Sequence, residues 1–295
     1  MSVLRTPDER FADLPGFPFA AHHLEVEGMR LARVDEGQHD AEPVLLLHGE
    51  PTWSYLYRGV IPHLVAAGLR AVAPDYAGFG RSDKPVDTEW YSYDAHVTQL
   101  TQVVDRLSLS HVTVVVQDWG GPIGLRWAME NPERVARIVI LNTGLFSGRA
   151  ISAGLAGWLE YAGAQIDLDV GGVVSAACGG LPDDVAAAYD APFPTVAHKA
   201  GPLTFPRLVP TAADAPGAAA QLRVRESLDA WEGPVQVAFS DGDPIFPVGV
   251  GEAWSGRLRN ADPFVVVKDA GHFLQEQQPR VVADLITAFI ARHPR

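Results

Sequence analysis

The chain has 295 residues, of which 47% are hydrophobic and 20% are charged, which suits one large domain or a core with an insertion. Its formal net charge of −13 disfavours nucleic acid and anionic membrane surfaces as partners. Cys178 is the single cysteine, which excludes an intrachain disulfide and a cysteine metal cluster.

The first ten residues, MSVLRTPDER, are polar and lack the apolar core of a secretory signal. No uninterrupted apolar run approaches the roughly 20 residues of a membrane-spanning helix. A lone cysteine fits a reducing compartment. We therefore expect a cytoplasmic protein with no membrane and no nucleic-acid partner, either a monomer or a weak oligomer.

Short apolar segments between turn residues predict strands, and longer segments with an apolar stripe predict helices. An irregular arm over residues 1–20 is followed by one or two edge strands within 24–34. Further strands are predicted at 44–47, 71–73, 112–116, 138–141, 235–239 and 264–267, and helices at 54–67, 93–107, 120–130 and 281–290.

This alternation of strands and helices predicts an α/β fold with a mostly parallel central sheet flanked by helices. The alternation breaks in a stretch rich in Ala, Gly and Pro that shows helical pieces and no strand signal. We therefore predict a core of residues 1–145 and 216–295, with residues 146–215 inserted as a helical cap.

Asp118 follows the valine-rich strand at 112–116 and precedes Gly120, Gly121 and Pro122, which open a helix. This is the pattern of a nucleophile elbow with Asp in place of the usual Ser. A helix N-terminus keeps a carboxylate ionised, and an ionised carboxylate attacks carbon without a base. Asp is also a common helix N-cap, and Val116 stands where esterases have Gly, so this segment alone leaves both interpretations open.

The carboxyl ends of parallel strands form the ligand-binding edge of such a sheet. His272 follows the last strand, where these hydrolases carry their base, and the chain order is nucleophile, acid, histidine. Asp241 and Asp243 both follow the strand at 235–239, and either could simply shape a turn. We prefer Asp243 as the acid because of its distance from Phe239. No Gly-x-Ser-x-Gly occurs, which disfavours a serine esterase.

A second glycine turn, at residues 48–51, is predicted to face the elbow. The backbone N–H groups of Glu50 and Trp119 would then form an oxyanion hole. The Glu50 side chain would then be incidental, either a hydrogen bonder at a solvent gate or, as we expect, an exposed loop acid. No metal-ligand spacing and no phosphate-binding loop occurs, so neither a metal nor a cofactor is expected.

Four segments carry a resemblance to a known family: HGEPTWSYLYR at 48–58, GFGRSDKP at 78–85, QDWGG at 117–121 and AGHFLQE at 270–276. They closely resemble the haloalkane dehalogenases, in particular the subgroup with a His-Gly-Glu-Pro turn and an Asp acid after the later strand. The resemblance spans nearly the whole chain and is weakest in the cap. In that family Val two residues before the nucleophile is ordinary.

The resemblance implies an α/β-hydrolase fold with a cap and a small apolar halogenated substrate. Asp118 would displace halide from carbon and form an alkyl ester, which water activated by His272 and Asp243 would hydrolyse. Trp119 and the cap residue Trp158 would bind the halide, since an indole N–H only donates hydrogen bonds. Trp158 could equally be a core aromatic. Because the base must be neutral, turnover should fail at acid pH.

Two alternative functions remain from the sequence. An epoxide hydrolase would share the Asp nucleophile and use cap tyrosines, for which Tyr161 and Tyr189 are candidates. A small-molecule receptor could share the fold without catalysis, but the complete set of three catalytic residues argues against it. Gln117 before the nucleophile and the tryptophan in the cap favour halide chemistry. A luciferase-type oxygenase is a remote third alternative.

Overall fold

The computed structural model describes residues 2–148 and 151–295. Met1, in the predicted arm, and residues 149 and 150, in the predicted cap, lie outside the described residues. Within that range the predicted strands of the sheet are all present. The strands are β1 (Val3–Leu4), β2 (His22–Val26), β3 (Met29–Glu36), β4 (Pro43–Leu47), β5 (Arg70–Pro74), β6 (Lys84–Pro85), β7 (Val112–Gln117), β8 (Val135–Leu141), β9 (Val235–Ser240) and β10 (Val265–Val267).

Helices cover both faces of this sheet and fill the stretch between β8 and β9. They are α1 (Ile61–Ala66), α2 (Tyr93–Arg106), α3 (Gly120–Glu130), α4 (Ala153–Gly163), α5 (Val170–Ala177), α6 (Asp183–Asp190), α7 (Ala200–Thr204), α8 (Ala218–Ala230), α9 (Val248–Arg257), α10 (Leu274–Gln277) and α11 (Pro279–Arg292). Short 3-10 helices lie at Asp8–Phe11, Ser54–Tyr57, Thr88–Trp90, Pro132–Arg134, Val196–Lys199 and Phe205–Leu208. None of the helices described is long and apolar enough to cross a membrane.

Eight strands form one sheet in the order β10-β9-β8-β7-β4-β5-β3-β2, and β1 pairs with β6 in a separate ribbon. The strands from β10 to β5 are parallel, whereas β3 and β2 are antiparallel and form the edge. The mostly parallel α/β sheet predicted from the sequence is confirmed. Every residue of β4 and β7 is buried, because helices cover both faces.

The central register brings three strand ends together. Val116 in β7 pairs with Leu47 in β4 on one side and with Ile140 in β8 on the other. The residues that follow these three strands therefore emerge side by side at the carboxyl edge. Asp118 and the turn after β4 meet here, as the pattern of the sequence predicts.

The helix predicted at 54–67 is wrong in its extent. The structure has a 3-10 helix at Ser54–Tyr57 and a separate α1 at Ile61–Ala66. Pro62 lies in the first turn of α1, where its missing N–H is harmless and its fixed φ starts a helix. Gly59 lies between these two helices and against Pro279. A Cβ added to Gly59 would lie 2.7 Å from the side chain of Pro279.

Between β8 and β9 the described residues form helices and no strands. The segment is tied to the rest of the chain by buried polar contacts as well as by packing. Tyr189 on α6 donates a hydrogen bond of 2.5 Å to Glu276, and Thr6 donates one of 2.6 Å to the carbonyl of Pro192. The limits of the cap at 146 and 215 stay a prediction.

Candidate active site

The turn after β7 holds Asp118 in a left-handed conformation, with φ of 47°. This is costly for a residue with a Cβ and persists because its surroundings fix it. The Asp118 N–H donates to the carbonyl of Asn142 at 3.0 Å, and the Thr143 hydroxyl donates to the Asp118 carbonyl at 2.6 Å. At Gly120 a Cβ would lie 2.2 Å from the carbonyl oxygen of Leu47, so only glycine allows α3 to start here.

The carboxylate of Asp118 points to the turn after β4. Its Oδ1 accepts a hydrogen bond of 2.8 Å from the backbone N–H of Glu50. A Cβ on Gly49 would lie 2.3 Å from the Asp118 side chain, so this close approach requires glycine. On the other side, Oδ2 lies 3.5 Å from Nε2 of His272. One oxygen is thus held by a backbone donor and the other faces the histidine.

Asp243 is the carboxylate that contacts His272, with Oδ2 lying 2.9 Å from Nδ1. Its side chain is fully buried, and its Oδ1 accepts a hydrogen bond of 2.7 Å from the Ile245 N–H. Burial would raise the pKa of Asp243, but His272 and the backbone donors hold it below its ordinary value. Asp241, the open alternative, is partly exposed and lies 3.7 Å from Lys268 instead.

His272 is buried between two carboxylates. Burial alone would lower its pKa, but Asp243 and Asp118 outweigh that effect and raise the pKa of His272 to about 10. The two carboxylates therefore favour the cationic form of the imidazole. Esterification of Asp118 would remove one of the two charges that raise this pKa, and so favour the neutral base.

A cavity of about 520 Å³ lies above these groups. Its lining includes Asp118 and His272 from the core, and Trp158 together with small residues of α5. Beside it is a separate cavity of about 10 Å³, which is room for roughly one water molecule. This small cavity is lined by both predicted halide ligands together with Glu50, Asp118, Pro122, Phe146, Leu155, Val209 and Phe246.

The two tryptophans reach the small cavity from different elements. Trp119 is the N-cap residue just before α3, is 6% exposed, and packs edge-on against Phe205 at 5.2 Å. Trp158 comes from α4 and is half-buried, and the ring of Tyr161 lies 5.9 Å away, tilted by 35°. The structure therefore places both side chains next to Asp118.

The expectation that the Glu50 side chain is exposed is wrong, because the residue is 4% exposed and lines both cavities. The turn that delivers its N–H to Asp118 also turns its side chain inward. Burial, and then the charge of Asp118, raise the pKa of Glu50 well above its ordinary value, while His272 and the Trp158 indole oppose that rise. Its Oε1 has no hydrogen-bond partner among the described residues.

Asn142 and Gln117 contact the loop that carries His272, and neither contact was predicted from the sequence. The amide nitrogen of Asn142 donates to the carbonyls of Gly271 and His272, both at 3.1 Å. The amide nitrogen of Gln117 lies 3.1 Å from Nε2 of His272. Both residues lie at the carboxyl ends of central strands. That position is the one feature of the sequence that could have indicated a role in the site.

The two cap tyrosines proposed for an epoxide hydrolase lie in different places. Tyr161 lines the large cavity and is 47% exposed. Tyr189 is fully buried, and its hydroxyl donates to Glu276, which Arg58 also binds. A pair of tyrosine donors at the cavity is therefore not formed.

Residues 42–170 match the family model described as the alpha/beta hydrolase fold. The haloalkane dehalogenase of Psychrobacter cryohalolentis is 42% identical to this chain over the full length of both, and that of Mycobacterium marinum is 40% identical over 98% of this chain and 100% of its own. The solved structure of the tetrameric haloalkane dehalogenase DpaA from Paraglaciecola agarilytica NO2 is similar, with a TM-score of 0.92, 36% identity and 97% of each chain covered. The resemblance drawn from the sequence motifs is confirmed, and the chain belongs to the haloalkane dehalogenases.

Proposed function

We propose that this protein hydrolyses the carbon–halogen bond of small haloalkanes in two steps, with Asp118 as the nucleophile. The observation that carries the proposal is that Asp118 lines a cavity of about 520 Å³ together with His272. One oxygen is held by the Glu50 N–H and the other faces His272. A carboxylate fixed in this way needs no base for attack on saturated carbon.

In the first step, an Asp118 oxygen attacks the carbon in line with the halogen. The carbon–halogen bond breaks, an alkyl ester forms, and the halide carries away the bonding electron pair. The halide would rest in the small cavity, where the indole N–H groups of Trp119 and Trp158 donate to it. Indole suits this place because it offers a donor and no nucleophile.

In the second step, His272 takes a proton from water, and the resulting hydroxide attacks the ester carbon of Asp118. Asp243 fixes the orientation of the imidazole and stabilises its cation. The Glu50 N–H already donates to Oδ1, the atom that becomes the oxyanion. The Trp119 N–H is the second proposed donor. The products are the alcohol, the halide and a proton, and Asp118 is regenerated.

The helical segment at 146–215 would act as the cap over this site. It supplies Trp158 and the small residues on α5 that form the cavity wall. Those small side chains leave space for a substrate larger than the reacting carbon and its halogen. The cap would therefore decide which alkyl groups enter.

The proposal also covers cofactors, location and oligomeric state. No metal or cofactor is required, since an ionised carboxylate and a histidine suffice for both steps. Across the described chain, no group of three or more His, Cys, Asp or Glu residues is placed to hold a metal ion. A cytoplasmic location and a monomer or weak oligomer stay predictions, and the DpaA relative is tetrameric.

The test is an assay of halide release with chloro-, bromo- and iodoalkanes of graded length, alongside diol formation from styrene oxide. We expect bromide from 1-bromobutane and no turnover of the epoxide. Epoxide hydrolysis without bromide release would instead favour the epoxide hydrolase alternative. Absence of both activities would favour the receptor alternative.

A further inference from the structure

The short helix α10 follows the loop that carries His272, and its last residue, Gln277, joins that loop to the cap. The Gln277 Oε1 accepts a hydrogen bond of 2.6 Å from the Gly271 N–H, and its Nε2 donates one of 3.0 Å to the carbonyl of Cys178. A backbone N–H only donates and a carbonyl only accepts, so this orientation of the amide satisfies both partners. One side chain therefore connects the residue before His272 to the cap.

The cap element at this junction is α5. Cys178 is the residue that ends this helix, and Ala176 and Ala177 near the same end line the 520 Å³ cavity. The helix end and the histidine loop lie close together, because a Cβ on Gly271 would lie 2.6 Å from the carbonyl oxygen of Ala177. Helix α5 thus meets both the substrate cavity and the loop that carries the base.

The histidine loop is held from the core through its carbonyl groups. The Gly271 carbonyl accepts a hydrogen bond of 2.6 Å from the Ser240 hydroxyl and one of 3.1 Å from the Asn142 amide. The Gly271 N–H is held instead by Gln277, which is itself held by α5. Loss of the Gln277 amide would therefore loosen the loop without detaching it from the core.

Helix α5 has anchors of its own. A Cβ on Gly171 in α5 would lie 2.4 Å from the carbonyl oxygen of Ala186 in α6, so these two helices pack closely. Helix α6 is fixed in turn by the hydrogen bond of 2.5 Å from Tyr189 to Glu276. The cavity wall should therefore stay in place when Gln277 is replaced.

We propose that Gln277 is a positioning residue for ester hydrolysis, because it ties the loop that carries His272 to α5 of the cap. The inference rests on the proposed function, in which hydrolysis of the Asp118 ester is the step that uses His272 as a base. Attack of Asp118 on the haloalkane does not use that base. Gln277 therefore acts on the second chemical step and not on the first.

Gln277→Met keeps the length of the side chain and removes both hydrogen bonds. Gln278→Met is the matched control, because Gln278 is the next residue, is also partly buried, and donates to the carbonyl of Asp269 in the stem of the same loop. Rapid-quench single turnovers with 1-bromobutane measure bromide release and butanol formation separately.

We expect Gln277→Met to form butanol more slowly, on the order of tenfold, with the rate of the bromide burst unchanged. A displacement of about 1 Å can cost roughly 10²-fold, and this loop keeps its bonds to the core. The value of kcat/KM should stay within about twofold, since it depends on steps up to cleavage of the carbon–bromine bond. Gln278→Met should match the unaltered protein in both steps.

Gln277→Glu tests the bond to the cap by itself. A carboxylate oxygen can still accept from the Gly271 N–H, but the other oxygen cannot donate to the Cys178 carbonyl. We expect butanol formation to be as slow as in Gln277→Met. The comparison is made at the plateau of the pH profile, where an added charge no longer changes the protonation of His272. A fully restored plateau rate would overturn the link to α5.

Three other outcomes would overturn the role of Gln277. The first is butanol formation at the unaltered rate in Gln277→Met. The second is an equal loss in bromide release and in kcat/KM, which would mean general damage to the site. The third is the same loss in Gln278→Met. Absence of an alkyl ester in the unaltered protein would overturn the proposed function itself, so the two failures are distinguishable.

Discussion

The two walls of the active site are held in different ways. The core wall carries Asp118, His272 and Asp243 at strand ends, joined by hydrogen bonds and close ionic contacts of 2.6 to 3.5 Å. The cap wall carries Trp158 and the short side chains of α5, which meet the cavity mainly through apolar atoms. The core wall is thus an array of charged groups held in place by hydrogen bonds, and the cap wall is a mainly apolar surface.

Because of this difference, we expect the core wall to control the rate of the chemical steps and the cap wall to control ligand binding. Bond making depends on atoms held within a few tenths of an ångström, which the strand ends provide. Binding of an alkyl group and a halide depends on shape and on single donors, which we propose that the cap supplies. We therefore expect core substitutions to change rates by orders of magnitude, and cap substitutions to change affinity by factors of ten.

The largest effect is expected at the nucleophile. Asp118→Asn keeps the side-chain shape and tolerates the left-handed backbone, but the amide is a poor nucleophile. Halide release should fall by a factor on the order of 10⁴ or more. The assay is bromide release from 1-bromobutane, with thermal unfolding as the control for folding. Asp118→Ala should be equally inactive, and retained activity in the Ala variant would remove Asp118 as the nucleophile.

The next effect separates the two chemical steps. His272→Phe should still alkylate Asp118 but should fail to hydrolyse the ester, because no base remains for the water. We expect a burst of one halide per protein molecule and then no further release. Mass spectrometry should find the added alkyl group on the peptide that contains Asp118. Steady turnover, or a burst with no adduct, would contradict the two-step route.

Asp243 and Asp241 lie in the same loop, so their Asn variants form a matched pair that tests the role of the acid. Asp243→Asn removes the charge that orients His272 and raises its pKa, so turnover should fall by roughly 10²- to 10⁴-fold. Asp241→Asn changes a partly exposed carboxylate two residues away and should retain activity. The comparison is made on kcat with the same haloalkane. Similar losses in both variants would point to the loop's structure rather than to the Asp243 charge.

Much of the core wall could be predicted from the sequence, because strand ends in a parallel sheet share one edge. The valine-rich strand before Asp118 and the strand before His272 were enough to place these residues together. The sequence favours Asp243 over Asp241 only by its distance from Phe239, since both follow the same strand and both suit a turn. The structure shows that Asp243 is the one in contact with His272. The amide of Asn142 was missed because its partners are backbone carbonyls, which leave no pattern in the sequence.

The cap was predicted less well for a physical reason. Its helices are short and rich in small residues, so periodicity gives little information on which faces meet the core. Trp158 was identified through the family resemblance and not from its own surroundings. The inward turn of Glu50 is set by backbone geometry at the elbow, and loop acids are usually solvated, so composition predicted the wrong environment.

On the cap side, Trp158→Phe keeps the aromatic shape and removes the proposed indole donor. Halide binding should weaken by about 1.5–3 kcal/mol, the usual value for a hydrogen bond to a charged group. The measurement is bromide titration of the remaining tryptophan fluorescence. Trp231→Phe, outside both active-site cavities, is the control. An unchanged bromide Kd in Trp158→Phe would mean that the second donor lies elsewhere.

The smallest effect on turnover is expected at Glu50, where the two walls meet. Because burial and Asp118 raise its pKa well above 4.5, the folded protein keeps this carboxyl protonated at pH values where the unfolded chain ionises it. The unfolded state then binds fewer protons, so this group lowers stability as pH rises above about 4.5, by up to about 1.4 kcal/mol per pH unit.

Glu50→Gln replaces the titrating carboxyl by a neutral amide of the same shape, and its backbone N–H still reaches Asp118. Turnover at neutral pH should stay within about threefold, and the variant should gain stability over the parent as pH rises from 4 to 7. Chemical denaturation across that range measures the difference. A stability difference that is flat with pH, or a turnover loss above about tenfold, would mean that Glu50 is ionised and acts as a charge beside Asp118.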